Sequence, residues 1–61
     1  MVEAYRFDSK DECLDYLKDL FKNEKYRNIQ EVKLRADMYA KHNKELHDFF
    51  IKEGEKLLSS S

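Results

Sequence analysis

Sixty-one residues, with 12 lysines and arginines against 13 acidic residues and a formal charge of −1, admit one small domain and give no general attraction to nucleic acid or an anionic membrane. Hydrophobic and charged residues each make up 41% of the chain, and its four tyrosines and four phenylalanines exceed what a disordered segment carries, so we expect a folded chain with wet outer faces. The single cysteine excludes an internal disulfide and a cysteine-built zinc site, and no window approaches the roughly 18 apolar residues of a membrane span.

A lone thiol without a signal-like apolar run fits a reducing compartment, so the expected location is cytoplasmic. A chain of about 60 residues buries only about 60% of the surface its unfolded form exposes, and such domains often need disulfides, metals or partners. Oligomerisation is the most available of those supports here.

Residues 1–61 read as one helical domain. Residues 1–8 alternate loosely, with Tyr5 and Phe7 on one side and Val2, Ala4 and Arg6 on the other. They suit a short strand, or an extended arm that lays two aromatic rings on a helical core. Ser9 and Glu12 then form a capping box. A first helix over about residues 10–22 follows, with Cys13, Tyr16, Leu17, Leu20 and Phe21 on one face and Leu14 beside it. Asp11, Glu12 and Asp15 at its start and Lys18 and Lys22 towards its end complement the helix dipole. A turn is expected over residues 23–27, and Asn28 with Glu31 repeats the capping pattern to start a second helix.

From there the chain runs without proline, and apolar residues recur in steps of three and four. Ile29, Val32, Ala36, Tyr39, Asn43, Leu46, Phe50, Glu53 and Leu57 form a narrow seam whose central residue is an asparagine. Pairs such as Glu31 with Arg35, Asp37 with Lys41 and Asp48 with Lys52 add about 0.2–0.5 kcal/mol each to a helix. Two points interrupt the pattern. His42 and Asn43 are mediocre helix formers, and Asn43 is able to cap a third helix from Lys44. Gly54 costs about 1 kcal/mol in a helix interior, so a helix is expected to fray or stop there, ahead of a flexible tail at 59–61.

The alternatives are an all-α hairpin with one long helix over about 29–58, or a three-helix bundle broken near 42–44. The unbroken phase through Asn43 favours the long helix. A first helix of ~20 Å then covers only part of a second of ~45 Å, leaving Leu46, Phe49, Phe50, Ile51, Leu57 and Leu58 bare. Dimerisation into a four-helix bundle, or a protein partner, would cover them. The expected homodimer interface is Ile29, Val32, Ala36, Tyr39, Asn43, Leu46, Phe50 and Leu57, with Asn43 setting register. In the three-helix bundle the last segment covers itself and Asn43 is only a cap.

The polar clusters carry less. Cys13 lies on an apolar face and reads as a small core residue. His42 and His47 are about 140° apart around a helix and cannot grip one metal from the same face. Asp11, Asp15 and Asp19 form an acidic row that reads as a wet face or as a docking stripe for a basic partner. Lys22, Lys25, Arg27, Lys33 and Arg35 surround Tyr26 near the turn, in a pattern able to contact phosphate but diluted by Glu24 and Glu31.

We therefore expect a non-enzymatic protein–protein interaction module, a small regulator, adaptor or inhibitor acting through an apolar helical face. No cofactor, metal or catalytic residue is assigned. The alternative is a ribbon-helix-helix DNA-binding regulator, with which the chain shares element order alone. Its strand would present Val2, Ala4 and Arg6 to the major groove, a poor set for base edges.

Overall fold

Each helix starts on a side chain that accepts from its own first turn. In the computed structural model, which describes residues 6–60, these caps delimit α1 (Lys10–Leu20), α2 (Ile29–Tyr39) and α3 (Lys44–Ser59), with a 3₁₀ turn (Glu24–Tyr26) between α1 and α2. No strand occurs among the described residues. Ser9 Oγ accepts from the Glu12 N–H at 3.3 Å and Asn28 Oδ1 from the Glu31 N–H at 2.9 Å, which satisfies donors that a helix start otherwise leaves open. Asn23 caps the 3₁₀ turn through the Lys25 N–H at 3.0 Å.

The expected continuous helix over 29–58 does not form. Helix α2 ends at Tyr39, and Asn43 stands in extended backbone with φ −142° and ψ 105°. Its Oδ1 accepts from the N–H groups of Glu45 and Leu46 at 3.0 and 3.3 Å. An asparagine side chain that bonds the following amides competes with the helical ladder, and here it opens a new helix. The break over residues 40–43 gives the three-helix alternative, and Asn43 is its cap instead of a register-setting residue within a seam. Asn43→Ala is therefore expected to lower stability by about 1 kcal/mol, with Asn43→Asp close to wild type, by thermal and urea melts. An Asn43→Ala protein more stable than wild type would put the residue back in a buried seam.

The break also reverses the chain. Lys10 approaches Glu45 at 3.8 Å and lies over the Phe49 ring at 5.4 Å, so α1 and α3 start together. Asp37 meets His47 at 2.8 Å, and Gly54 faces Val32, so α2 runs antiparallel to α3. The bundle is up-down-up, and both α1 and α2 pack on α3. Its core is Phe7, Cys13, Leu17, Val32, Ala36, Ala40, Leu46 and Phe50, flanked by Tyr16, Phe21, Ile29, Tyr39, Phe49 and Ile51.

Two further expectations change. Helix α3 does not fray at Gly54 but continues to Ser59, and the Ser60 N–H still bonds the Lys56 carbonyl at 3.0 Å, so residues 59 and 60 of the expected tail belong to the helix and its cap, while residue 61 lies outside the described residues. Gly54 is buried where α3 crosses α2. A Cβ built there would stand 2.7 and 2.9 Å from the two methyls of Val32, so the missing side chain sets how closely the helices approach. Of the eight-residue arm, residues 1–5 lie outside the described residues. Phe7 is fully buried, and its N–H donates to the Tyr39 carbonyl, a group that the end of α2 leaves open, at 2.9 Å.

Candidate functional site

The eight residues expected to line a dimer interface do not form one surface. Val32, Ala36, Leu46 and Phe50 are buried within the single chain, Ile29 and Tyr39 are half-buried against them, and Asn43 is an exposed cap. Leu57, at 37% exposure, is the apolar residue among the eight that stays exposed. The coverage argument for a second copy thus loses its premise, because the reversal turns most of the surface that a long helix would have left bare onto α1 and α2.

The same reversal builds a feature absent from the linear pattern. Because α1 and α3 run in parallel, their C-terminal ends lie side by side, and a groove of about 380 Å³, widely open to solvent, forms there. Its apolar floor is Phe21 and Leu57, and Lys18, Lys22, Arg27 and Ser60 complete its lining. Lys18 and Lys22 stand one turn apart on α1 and just beyond it, where cations suit the negative end of the helix dipole. Arg27 enters from the link between the 3₁₀ turn and α2. Among the described residues neither Lys18 nor Arg27 makes an ion pair. Lys22 reaches Asp19 only at 3.9 Å, between two side chains about four-fifths exposed, a pairing that contributes little.

Of the basic residues expected around Tyr26, the groove takes Lys22 and Arg27 and adds Lys18. Arg35 is directed elsewhere. Its Nη1 donates to Glu31 Oε1 at 2.6 Å, and its guanidinium lies 5.4 Å from the centre of the Tyr26 ring. Burial opposes the Arg35 charge, but the bonds to Tyr16 and Glu31 outweigh it and hold its pKa above the usual arginine value. Tyr16 accepts from Arg35 and donates to Tyr39; burial is the main cause that raises its hydroxyl above the ordinary phenol range. This network locks α1 to α2 at the wall of the core and leaves Arg35 unavailable to a phosphate.

Burial, aided by the Glu12 charge, pushes the Cys13 thiol up to about 11, which keeps it protonated and unreactive at neutral pH. No group of three or more metal-ligating side chains occurs among the described residues. Asp11, Asp15 and Asp19 all face water. Arg6 is exposed and pairs with Asp8 at 3.6 Å, while Val2 and Ala4 of the ribbon-helix-helix alternative lie outside the described residues. Leu34 and Met38, 48% and 55% exposed, form a small apolar pair on the outer face of α2. No helix among the described residues is long and apolar enough to cross a membrane.

His47 links α2 to α3. Its Nε2 lies 2.8 Å from Asp37 Oδ1 and its Nδ1 3.5 Å from Asp48 Oδ1, and the bond to Asp37 is the main cause that raises its pKa above 6.5. A raised folded-state value means that the protonated pair stabilises fully below the unfolded value and is lost as pH rises through the folded one. Stability is therefore expected to fall by less than ~1 kcal/mol between about pH 6 and pH 8, and His47→Gln removes that slope. A slope that persists in the variant would show that the titration belongs to another group.

Comparison of this chain with protein-family models, with curated proteins and with solved structures finds no match.

Proposed function

We propose that the protein is a non-enzymatic protein-interaction module whose contact surface is the groove at the shared C-terminal end of α1 and α3. One observation carries this reading: Lys18, Lys22 and Arg27 stand around an exposed apolar floor of Phe21 and Leu57, with no strong acidic partner among the described residues. Lone surface cations are ordinary, and so are lone exposed leucines. Cations gathered at the rim of an apolar depression have the anatomy of a binding surface, with an anchor pocket inside a polar border. The buried, protonated Cys13 offers no nucleophile, which supports binding over catalysis. That reduced thiol also suits a cytoplasmic setting.

Selection from a displayed library of random peptides tests the reading. Enriched peptides are expected to bind wild type and to lose about tenfold or more in affinity against Leu57→Glu, while Met38→Glu on the outer face of α2 leaves them unchanged. A library with no enrichment, or binding that ignores Leu57, would remove the groove as the contact surface.

A further inference from the structure

Resting on that reading, we propose that the occupant of the groove is an acidic segment of a partner protein that seats one bulky apolar side chain between carboxylates. The charge on the walls selects the sign. Lys18 and Arg27 make no ion pair among the described residues, and Lys22 holds Asp19 only at 3.9 Å through exposed side chains, a contact that an incoming carboxylate displaces at little cost. The two lysines are about 6 Å apart along the chain axis. Carboxylates one helical turn apart, or alternating along a strand, match that spacing. Arg27 adds a planar fork for a bidentate carboxylate.

The floor selects the rest. Phe21 is half-buried and Leu57 exposed, so an acidic segment without an apolar residue would leave that surface wet and forfeit its contribution. About 380 Å³ accommodates a phenylalanine or leucine side chain with its flanking atoms. The breadth of the opening selects a chain over a small amphiphile. Small-ligand sites enclose 70–90% of their guest, roughly, whereas this groove leaves its occupant open on one side and relies on contacts beyond the anchor. The formal charge of −1 is against a membrane surface, because attraction here is confined to this patch and the acidic row Asp11, Asp15 and Asp19 shares α1 with it.

The composition of the peptides enriched in the selection above is the first test, with glutamate or aspartate around phenylalanine or leucine expected. A fluorescein-labelled peptide with one phenylalanine between glutamates is then titrated by anisotropy, beside its glutamine and lysine versions. The glutamate peptide is expected to bind at least about tenfold tighter than the glutamine version, to weaken with salt, and to lose about tenfold with Lys18→Glu or Arg27→Glu. All three cations are exposed, so circular dichroism should show these variants folded. If groove-dependent peptides are enriched without acidic residues, this proposal fails while the interaction reading stands; if nothing is enriched, both fail. Binding to phosphatidylserine vesicles in place of peptides would overturn it in favour of a membrane surface. Self-association abolished by Lys18→Glu would overturn it in favour of a second copy.

Discussion

Gly54→Ala destabilises the protein, although alanine is the better helix former. In an exposed helix interior this change would add about 1 kcal/mol of stability. Here the new methyl would lie 2.7 Å from Val32 Cγ1 and 2.9 Å from Cγ2, well inside contact distance. Val32 has little freedom to yield, because it is fully buried and its branched Cβ holds one strongly preferred rotamer in a helix. The helices must separate instead, at an overpacking cost of about 1–3 kcal/mol. The net expectation, after the helix-propensity gain is set against that cost, is a loss of up to about 2 kcal/mol, or as much as several degrees in Tm for a domain this small. The decisive comparison is made in a Val32→Ala background. There the clashing methyls are gone, so Gly54→Ala should become neutral or stabilising as its helix propensity is recovered. Thermal melts of the four proteins in this cycle read the sign reversal directly. If Gly54→Ala stabilises in both backgrounds, the close crossing of α2 and α3 is not a constraint on this position.

That glycine illustrates what the chain reveals locally and what it does not. The capping residues Ser9 and Asn28 were legible because a cap is a contact between neighbours three residues apart. The same holds for the apolar faces of α1 and α2. Asn43 was the ambiguous case. The seam keeps its three-four rhythm across residues 40–43 because a connection of about four residues advances the chain by nearly one period. Val32 and Ala36 before the break and Leu46 and Phe50 after it then face one core whether the helix continues or reverses. Periodicity therefore could not separate the two folds, and its unbroken phase pointed to the wrong one; the cap that Asn43 forms on Glu45 and Leu46 marks the break in the structure. The groove was less legible still. A continuous helix would carry Leu57 about 42 Å from Ile29, far from the end of the first helix. Only the reversal at 40–43 returns it to Phe21, so no spacing within the sequence joins Lys18, Arg27 and Leu57.

Phe7→Ala is expected to leave the protein largely unfolded, an effect far beyond what its place ahead of the first helix suggests. The ring is fully buried, stacks on Phe50 with centres 4.9 Å apart, and meets Tyr16 and Tyr39 edge-on at 5.4 and 5.6 Å. It thus touches one residue from each of the three helices. Truncating a buried phenylalanine costs about 3–5 kcal/mol, through lost transfer energy and the cavity left behind. A single core in a domain below about 70 residues seldom supplies more than 3–5 kcal/mol in total, so the loss is comparable to the whole stability. The backbone adds a second tie, since the Phe7 N–H satisfies the Tyr39 carbonyl at the end of α2. Far-ultraviolet circular dichroism should show the helical signal of Phe7→Ala reduced in buffer. It should recover in a stabilising osmolyte such as sucrose, which favours the compact state. Phe7→Leu keeps most of the volume and should remain folded with a lower Tm, which separates loss of packing from loss of a ring. If Phe7→Ala melted within about 1 kcal/mol of wild type, the ring would be a cover on a core complete without it. The expected collapse instead makes Phe7 the residue through which three short helices share one core.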